Sequence, residues 1–553
     1  MTTWQPAPLP VPDWFPFEWP EPEMKALFWT WDQMHRPQPL TPLTATYESP
    51  CFSEGSSRGF QAVAIPLNLR TAVLNNFQYD ANEFLEETTS FPPPWWGRAE
   101  EEMLRRLPVL TQTWEQAYLP EVRSFNERLR SFDYERAATG DLLAFVHGEM
   151  RERRVRAWDL HMQAVIPVMA AASRFAEIYE QLLGKADANE PYLMLQGFDN
   201  LTVESGAALW QLSRRALTDP AVARLIDDTP VEELPDALRR SANGFWLEFQ
   251  RYLDTYGWRS DAFELADPAW AEDPAIPLNT LRELLHASDD AGPALQQRRC
   301  AEERERLVQE ALANLDGNEA RPLFEMVLGI AQQYLPIQED HNFYIDQMNT
   351  VLLRRPFLEL GRRLAEAKTI AGRDDVFYLR SDELADAATK PRSRDWAALV
   401  DERRAERRRW SAVVPPRELG TPPPPGAGDN PLMSLFFGPR REASSDPKVI
   451  TGTGASAGTV TATARIVRSL AEAGKLQPGD VLVCMMTMPA WTPLFAGVAA
   501  VVADSGGILS HCAIVAREYR IPCVVGTQIG TQVLKDGQRI TVDGAQGIVR
   551  IES

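Results

Sequence analysis

Apolar residues recur at intervals of three and four along a long central stretch. Leu142, Phe145, Met150, Val155, Trp158, Met162, Val165 and Val168 form one such series. That spacing predicts amphipathic helices, and Pro108, Pro120, Pro167, Pro220, Pro235 and Pro274 mark breaks between them. Residues 96–412 therefore read as an all-α domain of around ten helices, with no internal repeat and no coiled-coil run. Residues 1–95 follow a different pattern. Prolines and aromatic residues crowd the start, Trp14, Phe15, Phe17, Trp19, Phe28, Trp29 and Trp31 among them. Residues 23–35 are expected to form one helix and residues 59–77 two short strands, the whole segment packing on the helical domain. The aromatic side chains have two readings, as core anchors of an irregular segment or as the wall of a pocket for an apolar ligand. In the second reading Trp29 and His35 contact the ligand.

The helical pattern stops at residues 413–447. Pro415 and Pro416, four prolines at 422–425, and Gly426 and Gly428 sustain neither helix nor central strand. The stretch reads as a semi-rigid hinge, and the apolar residues 432–437 within it are expected to dock on a domain. Beyond it, residues 448–553 alternate strand-like runs (460–467, 481–485, 498–502, 523–525 and 539–542) with helical segments and Gly-rich turns, which implies a compact α/β domain.

The chemistry concentrates inside that last domain. The apolar run 497–503 reads as a buried strand. Gly506 and Gly507 follow, and they let the backbone turn tightly and approach a ligand. Ser510 suits a helix N-cap and places His511 in the first turn. Unpaired amides at a helix start suit an anion. The same positive end disfavours a protonated imidazole, so His511 is expected to be neutral and nucleophilic. An imidazole there would take a phosphoryl group whose charge the backbone stabilises. A structural polar histidine at a helix start is the other reading.

Charge and cysteine content narrow the classes. The 553 residues carry 57 Lys+Arg against 77 Asp+Glu, a net charge of -20, which argues against a nucleic-acid partner or an anionic membrane. No apolar run is long enough to span a bilayer, and no secretory leader is evident. The five cysteines are scattered without metal-ligand spacing, so no metal site is expected and a reducing cytoplasm fits best. The basic run 403–409 is interleaved with acidic residues and reads as a solvated helix face.

The run Gly506-Gly507-x-x-Ser510-His511-x-Ala513-Ile514-x-Ala516-Arg517-Glu518 resembles the phosphohistidine signature of the swivelling domain in phosphoenolpyruvate synthase, pyruvate phosphate dikinase and rifampicin phosphotransferase. Thr487, Pro489, Trp491, Thr492 and Pro493 match a second stretch of that family, and Ile521-Pro522-Cys523 and Val542-Asp543-Gly544 follow in the family's order. Cys512 stands where the family usually has Ala. Residues 197–204, 256–260, 337–347 and 374–379 resemble, more loosely, the substrate-accepting domain of the rifampicin phosphotransferase group. Relatives often carry His where this chain has Trp258. No Gly-x-x-x-x-Gly-Lys loop and no ATP-grasp-like segment is found in these residues. That layout resembles the larger subunit of phenylphosphate synthase and of the 4-cresol phosphorylating enzyme.

The resemblance implies a large, mostly helical substrate domain followed by an α/β swivelling phosphohistidine domain. It further implies a partner ATP-grasp subunit, binding ATP and Mg2+, that phosphorylates His511 with ATP ending as AMP plus phosphate. The C-terminal domain would then swing on the hinge and hand the group to a hydroxyl, that of a phenol or cresol. A larger hydroxylated molecule such as a rifamycin, or a phosphocarrier role without catalysis, is the alternative. Ser510, Arg517, Thr487, Gly506 and Gly507 are the candidate phosphate contacts, with a structural pairing as the other role for Arg517. Glu339, Asp340 and His341 are the candidates for deprotonating the hydroxyl. With Asp346 they read equally as a buried ion-pair network with Arg259, Arg354 or Arg355. Trp29, His35, Trp258, Arg259 and Phe343 are the candidate substrate contacts.

Overall fold

The computed structural model describes residues 7–87, 92–184, 189–260, 263–289, 292–423, 444 and 446–552. The polypeptide forms two compact units. The first takes residues 1–167, 262–267 and 344–428, and the second residues 168–261, 268–343 and 429–553. The central helices are thus divided between the units, and the phosphohistidine-like segment belongs to the second.

In the first unit a four-stranded antiparallel sheet is built from β1 (Phe28–Trp31), β2 (Leu67–Leu74), β3 (Phe77–Phe84) and β4 (Glu418–Gly420), in the order β2-β3-β1-β4. The single helix expected over residues 23–35 is not formed. A short 3-10 turn, Pro22–Ala26, leads directly into β1. The run Phe28-Trp29-Thr30-Trp31 places bulky β-formers on alternate faces, and ladders on both sides outweigh its helical spacing. The two strands expected in residues 59–77 occur as the hairpin β2–β3, shifted toward the C-terminus because the preceding helix, Ser49–Ala62, runs on to Ala62. Part of the Pro-rich stretch is held in this sheet as the edge strand β4, where a chain poor in donors is tolerated. Residues 432–437, expected to dock, lie outside the described residues.

Helix Ser49–Ala62 meets the first part of helix Arg151–Leu183 at close range. A Cβ at Gly59 would lie 2.7 Å from the carbonyl of Asp159, and one at Gly55 would collide with Val155 and Trp158. Beside this contact Glu48, fully buried, accepts from the guanidinium of Arg154 at 2.6 Å and from the indole of Trp158 at 2.9 Å. A buried carboxylate so enclosed is paired and hydrogen-bonded, as burial of charge requires.

The second unit combines helices with an eight-stranded sheet. Its strands are β5 (Val449–Thr451), β6 (Thr453–Ser456), β7 (Thr459–Ile466), β8 (Val481–Cys484), β9 (Ala500–Ala503), β10 (Cys523–Val525), β11 (Arg539–Asp543) and β12 (Ile548–Ile551), in the order β5-β12-β11-β7-β8-β9-β10-β6. The pairs β7–β8, β8–β9 and β9–β10 are parallel, and the flanking pairs are antiparallel. Val481, Val483, Ala500, Val502 and Val524 form its core with Ile540, Val542 and Val549. Strands β8 and β9 are buried at every position, which is why they read as continuous apolar runs rather than alternating ones. All five expected strands are present within two residues of their predicted ends. Strands β5, β6 and β12 are additional. They are short, and Gly452 and Gly454 interrupt any apolar alternation between the first two.

Candidate functional site

Strand β9 ends at Ala503, and the chain turns through Gly506, whose φ is +108°, a conformation that only glycine adopts without strain. Ser510 then caps helix His511–Tyr519, its side chain accepting from the amide of Ala513. The cap follows the sequence expectation, and it puts His511 at the first helical position.

The imidazole of His511 is held at both nitrogens. Nε2 lies 3.2 Å from Oγ1 of Thr492, and Nδ1 lies 3.4 Å from Oε2 of Glu339. The side chain retains 11% exposure, against 7% for that of Glu339. Glu339 also accepts a 2.8 Å bond from the hydroxyl of Thr202. Burial works to raise the Glu339 carboxyl. The charge of His511, hydrogen bonds from His511 and Thr202, and the charge of His341 outweigh it, so the pKa lies below the ordinary range. The group is therefore a carboxylate, and an ionised carboxylate can only accept. In its neutral form His511 therefore carries its proton on Nδ1, facing this carboxylate, and its lone pair on Nε2. Glu339 is thus placed beside His511 Nδ1 as the orienting carboxylate is in hydrolytic triads.

The other predicted acid–base residues are placed differently. Asp340 accepts from the amide of Leu201, at the start of helix Leu201–Leu217. His341 is 1% exposed, and its Nδ1 faces the carbonyl of Ile337 at 2.9 Å. A carbonyl can only accept, so this nitrogen carries a proton. Asp346, in the first unit, bonds His161 Nδ1 at 2.8 Å. Arg354 donates to the carbonyl of Leu265 and Arg355 to that of Arg130.

Arg517 is 4% exposed. Its guanidinium donates to the carbonyls of Ala455 at 3.0 Å and Ile508 at 2.9 Å. It braces the loop that delivers Ser510, so its geometry supports the structural role, with backbone carbonyls as the partners. Thr487 is 1% exposed, and its hydroxyl has no hydrogen-bond partner among the described residues. Beside the site, Glu518 is pushed up to about 8, by burial first and by the charge of Glu339 second. It lines a cavity of about 20 Å³ shared with Glu339, Asn200 and Arg517.

Of the predicted substrate contacts, Trp29 is fully buried. Its indole donates to the carbonyl of Met24 at 2.7 Å, which makes it a core anchor. His35 bonds Asp32 at 3.1 Å and is surrounded by the rings of Phe52, Trp158 and Phe263. Trp258 donates to the carbonyl of Asp254. Phe343 lies against the guanidinium of Arg259, 5.1 Å from its ring centre. Thr492 and Thr202, which complete the His511 site, carried no assigned role in the sequence reading. Each lies inside a stretch that resembles the family, and that was the only signal available for them.

A model of the rifampicin phosphotransferase fourth domain matches residues 160–339, and one of the PEP-utilising enzyme mobile domain matches residues 476–547. The chain is similar to part of a chondramide synthase of Chondromyces crocatus, 35% identical over 98% of this chain and 14% of that protein. It is similar to an uncharacterized phosphotransferase of Bacillus subtilis, 28% identical over 95% of this chain and 62% of that protein. It is also similar to a rifampicin phosphotransferase of a Streptomyces species, 30% identical over 74% of this chain and 47% of that protein. The chain spans less than two thirds of the length of each of these relatives. Among the described residues no helix is long and apolar enough to cross a membrane. The chain carries rifampicin phosphotransferase-like domains, among them a PEP-utilising mobile domain that holds His511.

Proposed function

We propose that this chain is the phosphohistidine-carrying part of an ATP-dependent phosphotransferase, and that His511 relays the phosphoryl group. The observation that carries the proposal is the placement of His511. Its Nδ1 faces a carboxylate, which leaves the Nε2 lone pair, beside the Thr492 hydroxyl, as the nucleophile. As Nε2 bonds to the β-phosphorus of ATP, the bond from that phosphorus to the AMP oxygen breaks and AMP leaves; water then takes the γ-phosphate, and Glu339 stabilises the positive charge on the ring through Nδ1–H. In the second half-reaction an acceptor oxygen forms its bond to phosphorus as the Nε2–P bond breaks. The electron pair returns to Nε2, and the ring leaves as neutral imidazole because Nδ1 kept its proton.

The group that loads His511 is an ATP-grasp unit with bound Mg2+ outside these 553 residues, acting in trans. The acceptor is a small aromatic hydroxyl of the phenol or cresol class. A phenol has a pKa of about 10, so it requires a base. His341 is the candidate for that role, and Asp340 is the second. A rifamycin-type hydroxyl is the other acceptor reading, favoured by the rifampicin phosphotransferase match over residues 160–339.

Incubating the chain with an ATP-grasp protein and β-labelled ATP, then adding 4-cresol or rifampicin, tests both steps. Acid-labile label on wild type that is absent from His511→Ala, and that moves to one acceptor, is expected. Equal label on both proteins would reject His511 as the carrier. Label that moves to neither acceptor would reject both substrate classes.

A further inference from the structure

We infer that Arg259 is the cation that receives the phosphoryl group carried on His511, and so a further catalytic residue of the reaction proposed above, on which this inference rests. Arg259 is 1% exposed and has no carboxylate within ion-pair distance among the described residues. Its Nε has no hydrogen-bond partner among the described residues. Its surroundings are the ring of Phe343, centred 5.1 Å away, the ring of Trp270 at 5.8 Å, and the carbonyl of Leu201 at 3.4 Å. Aromatic faces and one long carbonyl contact do not match what a buried guanidinium forgoes in leaving water. Its position is understandable if an anion arrives in the working cycle.

The position of the opening indicates which anion. Arg259 lines a cavity of about 20 Å³, room for one ordered water. Thr492 lines the same cavity, and Thr492 is the residue whose hydroxyl lies 3.2 Å from Nε2 of His511. Four of the other hydroxyls around it are engaged. Thr202 bonds Glu339, Ser205 and Tyr252 bond each other, and Thr280 bonds the carbonyl of Ile276. The guanidinium Nε is a donor left open among the described residues. Arg517, the nearest cation in sequence, is committed to two carbonyls.

The electrostatics also require a cation here. A phosphoryl group on Nε2 adds about two negative charges, as on any phosphorylated side chain, to a site that already holds the Glu339 carboxylate. The field of Glu339 acts on Arg259, so the two charges share one environment. With the phosphoryl group absent, Glu339 is the anion nearest the balance. With it present, Arg259 supplies the donor that Glu339 cannot. Phosphoryl transfer depends on donors of this kind placed in advance.

Potassium phosphoramidate, a small phosphoryl donor, tests the assignment on the full chain without a partner protein. Its P–N bond breaks, the Nε2–P bond forms, and ammonia leaves with a proton. Wild type is expected to show one phosphohistidine 31P resonance that His511→Ala lacks. In Arg259→Gln the same resonance is expected to titrate about one pH unit higher, and the label to be lost at least tenfold faster, with Arg259→Lys between. Should Arg259→Gln fail to fold, Nε–H resonances of 15N-arginine wild type replace it. One of them, assigned through Arg259→Lys, is expected to move downfield on phosphorylation. Unchanged titration and lifetime in Arg259→Gln, or an unmoved Nε–H, would overturn the role of Arg259 while leaving the phosphohistidine intact. No phosphohistidine at His511 in wild type would overturn both.

Discussion

Glu339 and His511 stand 172 residues apart in the chain, and Oε2 of one lies 3.4 Å from Nδ1 of the other. The contact joins the end of helix Arg321–His341 to the start of helix His511–Tyr519 within the second unit. Its consequence is a defined tautomer. Glu339→Gln keeps the shape but removes the charge that fixes the proton on Nδ1. The rate of label incorporation at His511 is expected to fall by about 10²-fold or more, by analogy with orienting carboxylates elsewhere. Initial rates of acid-labile incorporation measure it, and a rate within twofold of wild type would contradict the assignment.

The same pair makes stability depend on pH with a definite sign. The folded pKa of Glu339 is depressed, so its contribution is present above the unfolded value of about 4.3. It is lost as pH falls through the lower folded value. Glu339→Gln is therefore expected to melt below wild type at pH 6, with the gap closing on acidification below about pH 4. Parallel melting curves at pH 6 and pH 3 would contradict this.

Glu518 has the opposite sign. Its folded pKa is raised to about 8 above an unfolded value of about 4.3, so the unfolded chain loses this proton first. Stability then declines from about pH 4.3 up to about pH 8 and levels off. Glu518→Gln, which imitates the protonated acid, is expected to be more stable than wild type at pH 8.5 by about 1–2 kcal/mol, and equal to it near pH 4. The figure is held well below the roughly 5 kcal/mol that the whole shift would give at ~1.4 kcal/mol per pH unit, because the residue keeps partial solvent access. Chemical denaturation at the two pH values measures it.

The approach to His511 is set by two backbone devices. Ser510→Ala removes the cap on the Ala513 amide and is expected to cost about 1 kcal/mol. Gly506→Ala forces a side chain into φ +108°, a conformation that costs of order 1–3 kcal/mol. Both changes are expected to lower label incorporation more than they lower the melting temperature, because the strain falls on the turn that aims the imidazole. Equal proportional losses would mean that the turn supports only the fold.

The C-terminal sheet and its helix were legible in the sequence because local signals agree there. Fully buried parallel strands read as unbroken apolar runs, and the Gly506, Gly507 and Ser510 sequence encodes a turn followed by a capped helix. The failures came where a local signal met a non-local one. Phe28 to Trp31 carry a spacing that fits a helix, yet the strands that pair with them come from residues 77–84 and 418–420, which no local window can see. Arg517 looked like a phosphate ligand because it stands six residues beyond His511. Its actual partners, the carbonyls of Ala455 and Ile508, are fixed by the loop's path. Glu339 was singled out from a polar cluster, but its role as partner to His511 depends on a contact that only folding creates. Arg259 was assigned to the substrate, and only its burial without a carboxylate suggests a phosphoryl group instead.

Phosphopeptide mapping of the chain after it is loaded under alkaline conditions tests the central claim most directly. A single acid-labile phosphoryl group is expected on the peptide containing His511, attached at Nε2 and absent from His511→Ala. A phosphoryl group on any other residue, or none on wild type while the ATP-grasp protein turns over ATP, would contradict it.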